Sequence, residues 1–306
     1  HQYGGASPLL AGIMVAVFVA FMALFCLPIG WFLGKLEASK QNVSKSVLAM
    51  GFVATWVLME WMLTWFLTGF PWLFAGHAML GTPLQGYAPI VGNLGISLVV
   101  LTITVAVMLS VDQAQPWKMR LAMAGVALVL AGLGVSLDRQ VWTKPTGRYE
   151  AALVQGNIDQ AIKWDADQRL NNVRKHMQLS EDHWDTDILI WPEFALTLYG
   201  QDAVAVTDLL NRRGESSQTN VVIGMPDVQW QDQERYQVFN SAQGFGQANG
   251  KFAKHHLVPF GDYVPLQHYL RGFIEFFDLP MSNASRGAGQ QANIALTLSG
   301  QDQAVE

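Results

Sequence analysis

Four long apolar runs, almost free of charge, fill the first 137 residues of this 306-residue chain. Leu9 to Gly34 has no charged residue, Val47 to Leu67 has only Glu60, and Ala88 to Val111 and Leu121 to Leu137 have none. A helix rises about 1.5 Å per residue, so about 20 apolar residues cross a bilayer core. Packed into a water-soluble core, four such runs in so short a stretch would leave almost no polar surface. The sequence therefore predicts a partial transmembrane helical domain over 1–138. Charge divides the chain at the same place: only eight Asp, Glu, Lys or Arg residues lie in positions 1–137, and the other 35 lie in 138–306. The net charge of -5 argues against a nucleic-acid partner, because phosphate binding needs a basic surface.

Basic residues stay on the cytoplasmic side of a membrane, and they set the orientation here. Lys35, Lys40 and Lys45 follow the first run, Lys118 and Arg120 follow the third, and the loop from Gly69 to Tyr87 has no Lys or Arg. That loop is expected outside, and with it everything after the fourth span. Within it, Trp72 follows Thr68-Gly69-Phe70-Pro71 and joins Trp61 and Trp65 near the membrane surface, where aromatic rings settle. Glu60 is a carboxylate inside a span. It is read either as a functional group or as a structural hydrogen bond to a neighbouring helix. Cys26 is the single cysteine, so no intrachain disulfide forms; it sits in an apolar run with no base or water beside it and reads as a packing residue.

The polar half alternates strand and helix. Glu150 to Gln155, Asp187 to Trp191, Thr219 to Met225 and Gln237 to Ser241 read as strands, and Ala166 to Trp184 and Val204 to Arg213 as helical stretches. This alternation predicts a layered α/β domain. Glu193 directly follows a buried strand and suits a general base, although a salt bridge or helix cap would use a carboxylate there equally well. Lys254 could stabilise an oxyanion by charge, or be a solvated surface lysine. His255 and His256 are adjacent, point opposite ways on a strand, and have no third ligand at suitable spacing, so neither a metal nor another cofactor is expected.

Several segments, in order, resemble the apolipoprotein N-acyltransferase family within the carbon–nitrogen hydrolase (nitrilase) superfamily. They are Thr68-Gly69-Phe70-Pro71-Trp72; Val154-Gln155-Gly156-Asn157-Ile158 with Lys163-Trp164-Asp165; Trp191-Pro192-Glu193; Lys254 with Leu257-Val258-Pro259-Phe260-Gly261-Asp262; and Leu279-Pro280-Met281-Ser282 with Ser285-Arg286-Gly287. The resemblance implies a membrane helix bundle followed, over 139–306, by an αββα nitrilase-like sandwich on the periplasmic side of a bacterial inner membrane. It also implies a Glu, Lys and Cys triad that moves a fatty acyl chain from a phospholipid donor to the N-terminal amine of a diacylated lipoprotein acceptor through a thioester. In that scheme Glu193 is the general base and Lys254 supports the tetrahedral intermediate. Asp262 stands where the family commonly has Glu, and Trp164 is an aromatic residue near the site. Trp72 and Glu60 are candidates for substrate binding. The family's cysteine is expected to follow a strand shortly after the region around Ile294 to Leu298, and no cysteine follows there. With His1 at the start and Glu306 at the end, the sequence is read as an inactive fragment cut before the nucleophile. The alternatives are a membrane-tethered amidase and a non-catalytic membrane protein that binds lipid or lipoprotein.

Overall fold

The protein is described by a computed structural model over residues 7–38, 43–198, 200–232, 235–259, 261–264, 283–298 and 301–304. The Leu279-Pro280-Met281-Ser282 segment and Phe260 lie outside the described residues. Pro8–Pro145 forms one compact unit, and the chain from Thr146 forms another.

Among the described residues, the first unit has four helical segments long and apolar enough to cross a membrane: Pro8–Ala38, Lys45–Leu63, Pro83–Val111 and Trp117–Asp138. The first is not one helix. It divides into α1 (Pro8–Leu24) and α2 (Leu27–Ala38). Pro28 has no N–H to give to the carbonyl of Leu24, four residues back, and α1 stops there. An unbroken apolar run conceals this break, because hydropathy does not register a missing donor. α3 (Lys45–Leu63) starts at Ser44, whose hydroxyl accepts the Val47 N–H at 3.4 Å. α4 (Ala88–Val111) and α5 (Trp117–Asp138) complete the unit, and the Tyr87 hydroxyl donates to the Leu130 carbonyl at 2.8 Å. Leu9, Val17, Met50, Leu121 and Leu128 each expose more than half of their surface, which suits hydrocarbon and not water. This is a membrane protein.

The turn after α3 explains the Thr68-Gly69-Phe70-Pro71-Trp72 segment. Gly69 has φ +88°, and a Cβ there would lie 2.4 Å from the Thr64 carbonyl oxygen, so a side chain would force the turn open. Phe70 and Trp72 stack with ring centroids 5.5 Å apart.

The second unit is built on a five-stranded sheet in the order β1 (Ala151–Leu153), β2 (Ile188–Trp191), β3 (Asn220–Trp230), β4 (Tyr236–Gly246) and β5 (Lys251–Ala253). β1, β2 and β3 run parallel, whereas β3, β4 and β5 are antiparallel neighbours. The short α6 (Gln160–Lys163) and then α7 (Arg169–Leu179) lie between β1 and β2, and α8 (Gly200–Ser217) lies between β2 and β3. Val173 and Leu210 from these helices pack on Leu189, Trp191, Val221 and Ile223, all buried. Each such side chain contributes about 1.5–3 kcal/mol. Ile188 and Val222, on the alternate face, pack against Leu296 and Leu298 of β6 (Ala295–Leu298), which pairs with β7 (Gln301–Ala304). Helices on one face of the sheet and a further β layer on the other make a layered α/β domain, which follows the membrane helical region in the chain as the sequence predicts.

The end of β2 is anchored from below. The Trp191 indole donates to Ser180 Oγ at 2.9 Å, Ser180 Oγ donates to the His176 carbonyl at 2.8 Å, and the His176 ring lies 5.1 Å from that of Trp191. Burial holds the His176 imidazole below its ordinary value of 6.5, and Lys163 and Lys175 push it the same way against the Asn172 carbonyl. A histidine kept neutral in the fold stabilises it fully above pH 6.5, and that stability is lost as pH falls below 6.5 and the unfolded chain alone takes up the proton. Thermal melts in detergent are therefore expected to show a midpoint that drops between pH 7 and pH 5. His176→Gln should flatten that drop, and an unchanged slope would refute the assignment.

Candidate functional site

Glu193 sits in the tight turn that ends β2. Ala195 N–H closes it on the Pro192 carbonyl at 3.0 Å, and Leu196 N–H reaches across to the Gly224 carbonyl at 3.3 Å. Gly224 makes this approach possible, since a Cβ there would lie 2.5 Å from the Pro192 carbonyl oxygen and 2.6 Å from the Glu193 Cα. Phe194 adopts φ +51°, a left-handed conformation that costs a residue with a side chain about 1–2 kcal/mol. Its buried ring meets Trp164 edge-on at 5.3 Å, so Trp164 supports the turn one residue away from the carboxylate.

Lys254 follows β5. Its N–H donates to the Asn240 carbonyl at 2.7 Å, and its own carbonyl accepts from Gly287 at 3.0 Å. Its ammonium lies 3.1 Å from Glu193 Oε1 and 2.9 Å from Asp262 Oδ2. Asp262 is 3% exposed and fully engaged: Oδ2 also accepts the Val258 N–H at 2.8 Å, and Oδ1 accepts from Asn240 Nδ2 at 3.1 Å. Burial alone would lower the Lys254 ammonium, but the hydrogen bonds and charges of Asp262 and Glu193 outweigh it and hold it above the usual lysine range. It therefore stays protonated through neutral pH and serves as a cationic donor, not a base. The Glu193 side chain is 60% exposed, so this carboxylate reaches open space while Asp262 does not. The two carboxylates thus divide their work: Asp262 holds the lysine, and Glu193 can accept a proton from outside.

Sequence reasoning missed Asn240. Its amide donates to Glu193 Oε1 at 2.5 Å and to Asp262 Oδ1 at 3.1 Å, bridging both carboxylates. A buried asparagine within a strand was the available signal, but its partners come from three separated segments. Asn240→Leu is expected to lower turnover about 100-fold by freeing Glu193 from its set position. It should also cost about 1–3 kcal/mol, because Asp262 loses a donor in a buried setting. Wild-type turnover in a folded Asn240→Leu protein would remove Asn240 from the site.

Lys163, quoted in the sequence only as part of a motif, also belongs here. Its ammonium donates to the Glu193 carbonyl at 3.1 Å, and burial lowers its pKa despite the nearby Glu193 charge. It lines a cavity beneath the turn with Asn157, Asn172, His176, Phe194 and Thr197. His255 Nδ1 hydrogen-bonds the Gly287 carbonyl at 2.7 Å and thereby orders the chain beside Lys254.

Glu60 and Trp72 lie in the membrane unit. Glu60 is 1% exposed, and its Oε1 accepts from the Trp56 indole at 3.0 Å and from the Ala75 N–H at 2.8 Å. The neighbouring Gly76 N–H donates to Ser97 Oγ at 2.8 Å, so α3 and α4 together grip the loop that carries Trp72. Trp72 itself is exposed.

Residues 1–106 match the apolipoprotein N-acyltransferase N-terminal domain, and residues 150–297 match the carbon-nitrogen hydrolase family. The chain is 36% identical over 295 residues to the apolipoprotein N-acyltransferase of Pseudomonas syringae pv. tomato, an alignment covering 95% of this chain and 58% of that protein. It is 37% identical over 293 residues to that of Pseudomonas putida, covering 95% and 57%, and 31% identical over 303 residues to that of Vibrio cholerae, covering 95% and 58%. The chain thus spans somewhat more than half the length of these relatives. With these two domains matched in order along one chain, and relatives 31–37% identical over 95% of its length, this chain belongs to the apolipoprotein N-acyltransferase family.

Proposed function

We propose that the protein carrying this chain transfers a fatty acyl group from a membrane phospholipid to the N-terminal amine of a diacylglyceryl-cysteine in apolipoproteins. The observation that carries this reading is the Lys254 ammonium held between a buried Asp262 and an outward-facing Glu193, in a chain that also has its own membrane spans. The distribution of Lys and Arg among the loops supports a periplasmic site on a bacterial inner membrane.

In the first half-reaction Glu193 accepts the proton of the thiol that the family places beyond the region of β6. The sulfur bonds to the ester carbonyl carbon, and Lys254 donates to the oxygen that becomes negative. Collapse breaks the carbon–oxygen ester bond, and the lysophospholipid leaves with the proton. In the second half-reaction the lipoprotein amine attacks the thioester, loses its proton to Glu193, and expels the thiolate, which is reprotonated. Asn240, Trp164 and Lys163 hold Glu193 in place throughout. Trp72 meets the lipids at the membrane surface, and Glu60 serves through the loop it grips.

The test uses the chain extended to the length of its relatives, with the family's cysteine. Given a phospholipid with one labelled acyl chain and a diacylated lipopeptide, it should yield labelled N-acyl peptide and lysophospholipid. Labelled free fatty acid with no N-acyl peptide would make water the acceptor and contradict the reading.

A further inference from the structure

The cavity beneath the Glu193 turn is lined by polar groups that the reaction leaves unused. Its walls include Gln155, Asn157, Lys163, Asn172, His176 and Thr197, and it holds about 390 Å³ of space, open mouth included. His176 faces this space while only 2% exposed. Its Nδ1 meets the Asn172 carbonyl at 2.8 Å, and a carbonyl only accepts, so Nδ1 carries the hydrogen of the ring. Burial keeps the ring neutral, which makes Nε2 a bare acceptor. Among the described residues no group donates to it. Gly156 keeps that nitrogen uncovered, because a Cβ there would lie 2.5 Å from it. A buried acceptor without a donor is costly to keep. Lys163 supplies the opposite capacity. Its ammonium gives one N–H to the Glu193 carbonyl at 3.1 Å and has others to give. Its own carbonyl accepts from Thr197 Oγ1 at 3.2 Å and Asn172 Nδ2 at 3.5 Å, which fixes the lysine in the cavity wall. The Lys163 charge acts on both the Glu193 carboxylate and His176, so the three groups are neighbours.

We propose that this cavity binds the first peptide unit of the lipoprotein acceptor, whose carbonyl oxygen accepts from Lys163 and whose N–H donates to His176 Nε2. The Lys163 ammonium repels a cation, and an anion brings no hydrogen to Nε2. A group that joins an acceptor oxygen to a donor hydrogen satisfies both walls, and a peptide unit is such a group. That the occupant is the acceptor rests on the proposed acyl transfer. The amine that Glu193 deprotonates is two bonds from the carbonyl carbon of the same residue, so this peptide unit lies within about 4 Å of the amine. It must therefore find its hydrogen-bond partners close to Glu193, where the cavity offers them. A hydroxyl in a phospholipid headgroup has the same two capacities, but nothing ties it to that amine.

The test uses the protein extended to its relatives' length, with the family's cysteine replaced by alanine so that binding is read without turnover. Two diacylated lipopeptides carry a fluorophore at the far end, and the bond after the lipidated cysteine is an amide in one and an ester in the other. The ester keeps the carbonyl and lacks the N–H. Fluorescence anisotropy should show the amide bound about tenfold tighter, the effect of one hydrogen bond. His176→Phe keeps a ring and removes Nε2, and most of that preference should vanish. Lys163→Met should weaken both lipopeptides alike, since both keep the carbonyl. Equal binding of amide and ester by the unsubstituted cavity overturns the proposal, and that result needs no cavity variant to fold. A folded His176→Phe protein that keeps the preference, or that loses affinity for a labelled phospholipid instead, also overturns it. Amide preference without any N-acyl peptide from the cysteine-containing protein would sink the functional reading and leave the peptide site standing. N-acyl peptide with no amide preference would do the reverse.

Discussion

Glu193→Gln is expected to slow acyl-enzyme formation about 1,000-fold in the chain extended through the family's cysteine, because a general base contributes about 10²–10⁴ in rate. Glutamine keeps the shape, and its carbonyl oxygen still accepts from Asn240 and Lys254 at the position of Oε1. What it loses is the capacity to take a proton. Stability should change by less than about 1 kcal/mol, since the side chain is 60% exposed and its pairing with Lys254 is screened by water. Thermal melting and single-turnover kinetics on the same preparation separate the two effects. A variant that melts early would make Glu193 a structural residue, and one that acylates at the wild-type rate would move the base elsewhere.

Lys254→Met has a different signature. It removes the proposed oxyanion donor, worth about 10²–10³ in rate, and also leaves Asp262 buried at 3% exposure without its cation. Breaking such a pair by removing one partner costs about 3 kcal/mol. Adding Asp262→Asn discharges the stranded carboxylate, so the double variant should regain most of the lost stability. It should regain none of the activity, because the donor is still missing. Denaturant unfolding of the two single variants and the double, alongside turnover, closes the cycle. If turnover returned with stability, Lys254 would act only by holding the fold.

Much of this arrangement is legible in the sequence because it depends on local patterning. Ile188 to Trp191 is a short apolar strand followed by proline, and that alone sets Glu193 at a strand end. The four spans are legible because hydrocarbon imposes length and lack of charge together. The break at Phe25 and Cys26 is not, since only the missing N–H of Pro28 marks it. The hairpin also reads short. Asp227 and Gln229 interrupt the apolar pattern after Met225, yet backbone pairing continues through them to Trp230 opposite Tyr236. Asn240 escapes for a related reason. Its neighbours Glu193, Lys254 and Asp262 come from three turns that adjoin only once β2, β3, β4 and β5 are in register. Lys254 and Asp262 are singled out by resemblance, and their physical roles emerge from burial: one carboxylate is enclosed and the other open. Glu60 was open to two readings in the sequence; its Oε1 accepts from Trp56 and the Ala75 N–H, while its buried Oε2 has no hydrogen-bond partner among the described residues.

The most direct test of the central claim, that Glu193 and Lys254 activate a thiol for acyl transfer, is the intact mass of the extended protein after incubation with phosphatidylethanolamine. The wild-type protein should gain one fatty acyl mass that hydroxylamine removes, and Glu193→Gln should gain none. An adduct of equal yield in both proteins, or none in a folded wild-type protein that carries the cysteine, would contradict the claim.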